Sequence, residues 1–203
     1  MYYSQQQEDV FLHEKYLNYP NGFFIELGGM NGVTFSNTLF FEESLSWTGV
    51  LIEPTDQFFE MEKNRPNCHN FNFAVSENEG EIEFLGNGAV GGIKNSLPEQ
   101  HIKGWGLDNE ESRKVISKPL SKILETIKID MVDLFSIDVE GGELEVLKSF
   151  DWSIPVYLVL IEIAKFDLSK DEECRDFLTT KGFKFESTIG CNEIWINEKN
   201  IRK

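Results

Sequence analysis

Acidic residues that follow short apolar runs are the first candidates for chemistry in this sequence. Glu26 ends one such run and is followed by Gly28 and Gly32, while Glu53 directly follows the next run. Glycines let the backbone turn tightly and approach a ligand closely. An acidic residue after the second strand of a nucleotide-binding unit is placed to accept hydrogen bonds from ribose hydroxyls. Met30 stands where the dinucleotide fingerprint requires glycine, so the pattern disfavours a nicotinamide cofactor.

A second acidic group follows two later apolar runs. Asp138 and Glu140 flank one residue, so their side chains share a face, and Glu162 ends the next run. Converging carboxylates suit a general base or a divalent metal such as Mg²⁺. We expect Asp138 to be the base and Asp138 with Glu162 to be the ligands of any metal, with Glu162 as a second catalytic acid. Two structural alternatives stay open, because Glu140 could cap the following helix and Asp138 could hold a cofactor loop.

Of the histidines, His101 is the best candidate for a catalytic role. It lies near Trp105 in residues 86–118, where glycine, proline and charged residues leave no periodicity. A long irregular segment in a compact domain is usually a lid or a substrate loop. His101 could therefore act as a base, stack on a sugar, or simply lie at the surface.

The elements that must position these residues alternate along the chain. Helices are predicted at residues 6–16, 38–45, 56–63, 121–126, 143–149 and 171–181, and strands at 23–27, 49–52, 70–74, 81–85, 132–137, 156–163, 183–187 and 193–196. This order predicts a parallel sheet covered by helices on both faces. The loop between the last two strands is so short that they must form an antiparallel hairpin. Residues 1–203 are expected to form one domain, with residues 1–20 as a helical lead-in.

Composition limits the classes of partner. The chain of 203 residues carries 35 Asp and Glu against 19 Lys and Arg, a net charge of −16, which disfavours binding to nucleic acid. Cys68, Cys174 and Cys191 lack metal-site spacing and are predicted to be free thiols of a reducing compartment. The polar start lacks a signal peptide, and the apolar run at residues 156–163 is too short to span a bilayer. We expect a soluble, cytoplasmic protein.

Two segments resemble the FkbM family of methyltransferases. They are FIELGGMNGVTFSNTLFFEESLSWTGVLIEP at residues 24–54 and DVEGGELEVL at residues 138–147. The pair in this order is specific, and the resemblance runs from about residue 5 to residue 166, with a weaker match through the last hairpin. It implies an α/β fold of the class I methyltransferase type. That fold is a Rossmann-like three-layer sandwich whose mostly parallel seven-stranded sheet ends in an antiparallel hairpin.

The resemblance also implies S-adenosyl-L-methionine as cofactor. In the family pattern the first glycine turn surrounds the methionine part, Glu53 binds the ribose, and the turn at residues 72–75 flanks the adenine. The implied cofactor-binding set is Glu26, Gly28, Asn31, Gly32, Ser36, Asn37, Thr38, Glu53, Pro54, Phe73, Ala74, Asp138 and Glu140. Two residues depart from the commoner pattern, since Glu26 replaces Asp and Gly29 replaces Ala. Residues 86–118 have no counterpart in the family, which leaves the acceptor open.

The predicted activity is methylation of a hydroxyl on a sugar or small metabolite. Such a hydroxyl must lose its proton, and a carboxylate near the reacting oxygen can take it. An acidic cleft also suits the positive sulfur of the cofactor without any metal. The alternative is a non-catalytic interaction module that kept the methyltransferase fold.

Overall fold

The computed structural model describes residues 1–163 and 166–202. The strands are β1 Phe23–Leu27, β2 Thr48–Ile52, β3 His69–Phe71, β4 Ala74–Val75, β5 Gly80–Leu85, β6 Gly92–Ile93, β7 Arg113–Lys118, β8 Val132–Ile137, β9 Val156–Glu162, β10 Lys184–Ile189 and β11 Asn192–Ile196. The α-helices are α1 Glu8–Lys15, α2 Leu39–Leu45, α3 Phe58–Asn64, α4 Glu99–Gly104, α5 Leu120–Leu124, α6 Glu143–Ser149 and α7 Leu168–Thr180. Every helix in these ranges is too short or too polar to cross a membrane.

Seven strands form the main sheet, in the order β10-β11-β9-β8-β1-β2-β3. The pairs from β9 to β3 are parallel, whereas β11 runs antiparallel to both β9 and β10. The class I methyltransferase fold predicted above is therefore confirmed. From β1 the chain proceeds outward through β2 and β3 and then returns to place β8 on the other side of β1. This reversal of strand order opens a crevice at the carboxyl ends of β1 and β8, where ligands bind in such sheets.

Alternate side chains of the central strands enter two separate cores. Ile25 and Leu27 of β1 pack with apolar residues of α5, α6 and α7 on one face of the sheet. Phe24, between them, packs on the opposite face with residues of α1, α2 and α3. Both faces are thus covered by helices, which makes the three-layer sandwich and fixes the strand ends that carry the acids.

The prediction that residues 86–118 are irregular is wrong in part. The segment contains β6, α4 and β7, and β4, β7, β5 and β6 form a second sheet. In β7, Val115 and Ser117 are buried while Lys114 and Ile116 are exposed. An exposed isoleucine and a buried serine mask the alternation that would have revealed the strand.

The single strand predicted at residues 70–74 is divided between the two sheets. β3 stays in the main sheet and β4 pairs with β7 in the second. Between them the Asn72 side chain donates hydrogen bonds to the carbonyl oxygens of Glu53 at 2.8 Å and Thr55 at 3.2 Å. These bonds anchor the chain where it leaves one sheet for the other.

Candidate active site

A cavity of about 360 Å³ opens at the crevice in the main sheet. Carboxyl side chains from four strand ends line it, namely Glu26, Glu53, Asp138, Glu140 and Glu162. No Lys or Arg lines it among the residues that the structure describes. Residues of the segment 86–118, including His101 and Trp105, line it as well. The cavity therefore brings most of the expected cofactor residues and the expected catalytic residues to one place and gives that place an acidic character.

Glu26 anchors the loop that follows β1. Its carboxylate accepts hydrogen bonds from the Ser36 hydroxyl at 3.0 Å, from the Asn37 backbone N–H at 2.7 Å and from the Thr38 hydroxyl. Glu26 and Asn37 line the cavity, whereas Ser36 and Thr38 do not. The expectation that all three residues of the Ser-Asn-Thr run line the cleft is therefore wrong for Ser36 and Thr38, whose hydroxyls point at Glu26 instead.

A buried arginine that sequence reasoning missed stands behind this loop. Arg65 is fully buried, pairs with Glu42 and lies 3.8 Å from Glu26. Its guanidinium also donates to the Gly32 carbonyl at 3.0 Å and to the Thr38 hydroxyl at 3.1 Å. Arg65 thus holds both ends of the cofactor loop from outside the cavity.

The glycine turn after β1 divides into a part that faces the cavity and a part that supports it. Gly28 lines the cavity with φ at 77°, and a side chain there would collide with the Asp138 carbonyl. Asn31 and Gly32 lie outside the lining, contrary to expectation. The Asn31 side chain instead accepts hydrogen bonds from the backbone N–H groups of Val33 at 3.1 Å and Thr34 at 2.8 Å, which closes the turn.

Glu53 is buried at the end of β2, and its carboxylate binds the loops on either side of the strand end. It accepts hydrogen bonds from the Met30 backbone N–H at 2.9 Å, the Thr55 backbone N–H at 2.9 Å and the Thr55 hydroxyl at 2.5 Å. Burial raises its pKa, and these hydrogen bonds oppose the rise. A carboxylate has about four lone-pair sites, so one remains for a ligand hydroxyl. Pro54, Phe73 and Ala74 line the cavity beside it, where the adenine is expected.

At the other end of the cavity three carboxyl groups converge. Oxygens of Asp138, Glu140 and Glu162 lie within 4.8 Å of one another. Burial and the nearby Glu162 raise the pKa of Asp138 well above its usual range. Burial, then the charge of Asp138, raises the pKa of Glu140 to about 8, and burial, then the charge of Glu140, raises that of Glu162 to about 7. The group therefore holds protons near neutral pH and can exchange them there.

The same three carboxyl groups could hold a divalent cation. Asp138 and Glu162 are the ligands expected from the sequence, and the structure adds Glu140. Removal of a proton from an acceptor hydroxyl by one of these carboxylates does not itself require an ion.

His101 is buried, not at the surface, and lies in α4 at the cavity wall. One ring nitrogen, Nε2, lies 2.9 Å from the Val90 carbonyl oxygen and must donate to it. The other, Nδ1, lies 3.3 Å from a carboxyl oxygen of Glu140. Both nitrogens are engaged, so His101 holds the Glu140 side chain in place. Access of His101 to a substrate hydroxyl would require that pair to open.

Comparison with known families identifies the chain. A family model described as the methyltransferase FkbM domain matches residues 26–185. The chain belongs to the FkbM methyltransferase family. The match covers most of the sequence and begins at Glu26. Membership in this family implies S-adenosylmethionine as the cofactor.

Solved structures show weaker likenesses. The precorrin-6y C5,15-methyltransferase of Geobacter metallireducens GS-15 is 9% identical with a TM-score of 0.49, and the match covers 93% of this chain and 85% of that one. A putative rRNA methylase of Clostridium thermocellum is 9% identical with a TM-score of 0.47, over 97% and 94% of the two chains. Among curated proteins no relative matches the sequence.

The residues present fit the cofactor of the FkbM family. Glu53 keeps one acceptor site for a ribose hydroxyl, and Gly28 lets the turn after β1 pack closely against the Asp138 backbone at the cavity. Phe73 offers an aromatic surface beside Glu53, and the carboxyl oxygens of Asp138 and Glu162 offer polar partners for the positive sulfur. The cavity thus offers a complementary group to the adenine, the ribose and the sulfur.

Replacing Glu53 by Ala tests the ribose end. We expect the variant to bind S-adenosylmethionine about 1–3 kcal/mol more weakly, since a ribose hydroxyl and two backbone N–H groups lose their acceptor. Calorimetric titration measures the change. Glu60→Ala, at an exposed position on α3, is the matched control and should bind like the parent. Unchanged affinity in Glu53→Ala would remove Glu53 from the cofactor site.

Proposed function

We propose that the protein transfers a methyl group from S-adenosylmethionine to a hydroxyl of a sugar or a small metabolite. The observation that carries the proposal is the placement of Asp138 and Glu162, with proton-holding carboxyls, in the same cavity as Glu26, Gly28 and Glu53. A base and a cofactor site that share one cavity are what transfer to a hydroxyl requires.

The proposed reaction is an in-line displacement at carbon. Glu53 and Phe73 would hold S-adenosylmethionine, which would supply its methyl group to the acceptor oxygen and would leave as S-adenosylhomocysteine. Asp138 takes the proton of the acceptor hydroxyl when its own carboxyl is ionised, and the raised pKa of Asp138 makes that ionised form a stronger base than an ordinary aspartate. Glu162 and Glu140, next to Asp138, carry the remaining negative charge at this end of the cavity. Alignment of the reacting groups in the cavity lowers the barrier further.

The carboxyl groups of Glu140 and Glu162 also make cofactor binding dependent on pH, which provides a test. S-adenosylmethionine carries a positive sulfur and S-adenosylhomocysteine does not. Since the pKa of Glu162 is about 7 and that of Glu140 about 8, negative charge in the cavity grows between about pH 6 and about pH 8.5. We expect the affinity for S-adenosylmethionine relative to S-adenosylhomocysteine to rise about tenfold over this interval, measured by calorimetry. Glu162→Gln should flatten the rise, and a ratio independent of pH would contradict the acidic recognition.

Calorimetric titration with S-adenosylmethionine tests the proposed function itself. We expect saturable heat and a thermal shift, and no response to NAD, because Met30 interrupts the glycine fingerprint. Neither heat nor thermal shift at about millimolar cofactor would reject the proposal and favour a non-catalytic interaction module.

The proposed setting is the cytoplasm, with a small-molecule or carbohydrate acceptor and no nucleic acid. The three cysteines are free, as a reducing compartment favours. The net charge of −16 and an acidic cavity offer nothing to neutralise a phosphate backbone. Residues 86–118 supply part of the cavity wall, which supports a role for them in binding the acceptor.

A further inference from the structure

The chain before β1 contributes a wall of the cavity that the family match does not include. Gln5, Gln6 and Glu8 line the cavity, whereas the match begins at Glu26. Glu8 is only 1% exposed, although it is a charged residue at the first position of α1. A buried carboxylate in a cavity calls for a reason, because its burial costs free energy unless it is paired.

Specific contacts hold this N-terminal wall in place. The Asp9 carboxylate accepts hydrogen bonds from the Tyr3 backbone N–H at 2.6 Å and the Ser4 hydroxyl at 2.5 Å. Ser4 also forms a parallel bridge to Phe35, which itself lines the cavity. The segment is therefore fixed against the cofactor loop and can present its side chains to a ligand.

Glu8 lies at the acceptor end of the cavity. Its carboxylate accepts hydrogen bonds from the Asn192 side chain at 2.9 Å and from the Gln6 backbone N–H at 2.8 Å. Asn192 on β11 is the register partner of Glu162 on β9. Glu8 thus stands on the Glu162 side of the cavity and on the opposite side of the sheet centre from Glu53.

The chemistry of this wall favours one kind of ligand. Carboxamides donate hydrogen bonds to hydroxyl groups and accept them, and carboxylates accept them. Six carboxyl groups and no Lys or Arg line the cavity among the described residues, so an anionic acceptor finds no ammonium or guanidinium group in the lining to pair with.

We propose that Gln5, Gln6 and Glu8, with Asn192, form the acceptor-binding wall and select a polyhydroxylated acceptor that is uncharged or cationic. The proposal rests on the proposed methyltransferase function. It adds to that function a set of acceptor-binding residues and the exclusion of phosphorylated and other anionic acceptors.

The first test changes the charge of the wall at an exposed position. Transfer of labelled methyl from S-adenosylmethionine is measured to methyl hexosides, 2-amino-2-deoxyhexoses and hexose 6-phosphates. The parent should methylate members of the first two groups and leave the phosphates unmodified. Gln5→Lys should raise use of the phosphates relative to the neutral sugars about tenfold, a change of about 1.4 kcal/mol. Gln7→Lys is the matched control, since Gln7 is exposed nearby but does not line the cavity, and it should behave like the parent.

The second test addresses Glu8 directly. Glu8→Gln keeps the shape of the side chain and should raise KM for the best acceptor about tenfold, a change of about 1.4 kcal/mol. The affinity for S-adenosylhomocysteine should stay close to that of the parent. Glu14→Gln, the same change at an exposed position of α1, should alter none of these values.

Each outcome has a defined meaning. Preferred methylation of hexose 6-phosphates by the parent would overturn the proposal, and so would an unchanged acceptor KM in Glu8→Gln. Binding of S-adenosylhomocysteine without transfer to any neutral or amino sugar would overturn the assigned acceptor class while leaving the cofactor site intact. Failure to bind S-adenosylhomocysteine would instead reject the proposed function on which the inference rests.

Discussion

Replacing Asp138 by Asn is expected to lower the rate of methyl transfer about a hundredfold, the scale of losing a general base. Asn keeps the shape of Asp138 but cannot take the acceptor proton. Because Asp138 lies among carboxyl groups that raise its pKa, removal of its charge should not destabilise the fold. The measurement is kcat with methyl-labelled cofactor, together with the thermal midpoint and the affinity for S-adenosylhomocysteine.

The matched control for this variant is Asp130→Asn. Asp130 is an exposed acid before β8 that forms a surface salt bridge with Lys128 at 3.7 Å, so its replacement should leave turnover and stability unchanged. If Asp138→Asn turned over like the parent, Asp138 would be a scaffold residue and Glu162 would become the candidate base.

Replacing Arg65 by Met is expected to lower the free energy of unfolding by about 3–5 kcal/mol, the usual scale for breaking a buried ion pair from one side. The variant leaves the Glu42 carboxylate without its charged partner and removes the donors that hold Gly32 and Thr38. The Glu26 carboxylate also loses the positive charge 3.8 Å away. Urea unfolding followed by fluorescence measures the effect.

An exposed ion pair supplies the comparison for Arg65. Lys128→Met breaks the contact with Asp130, and both side chains are more than 80% exposed, so the loss should stay below about 1 kcal/mol. A loss of similar size in Arg65→Met would show that the cofactor loop does not depend on Arg65.

The main sheet was predictable because its signals are local. The apolar runs of β1, β8 and β9 are buried on both faces, so each reads as a strand without reference to the rest of the chain. Acids at the ends of such runs meet at one edge of a parallel sheet, which is why Glu26, Glu53 and Asp138 could be assigned to one site from the sequence.

The remaining features depend on contacts between distant residues, which no local pattern records. Arg65 reads as an ordinary residue at the end of a polar helix, yet its partners Glu42 and Gly32 lie earlier in the chain. His101 looks exposed because its neighbours are polar, and only the docking of α4 buries it. Glu8 gives no signal at all, since its partner Asn192 lies at the other end of the sequence.

A crystal structure with S-adenosylhomocysteine bound tests the central claim most directly. We expect the ribose hydroxyls of the ligand to bind Glu53, its adenine to lie against Phe73 and its sulfur to face the carboxyl of Asp138. Binding outside the crevice between β1 and β8, or with the sulfur turned away from Asp138, would contradict the assignment of cofactor and base to one cavity.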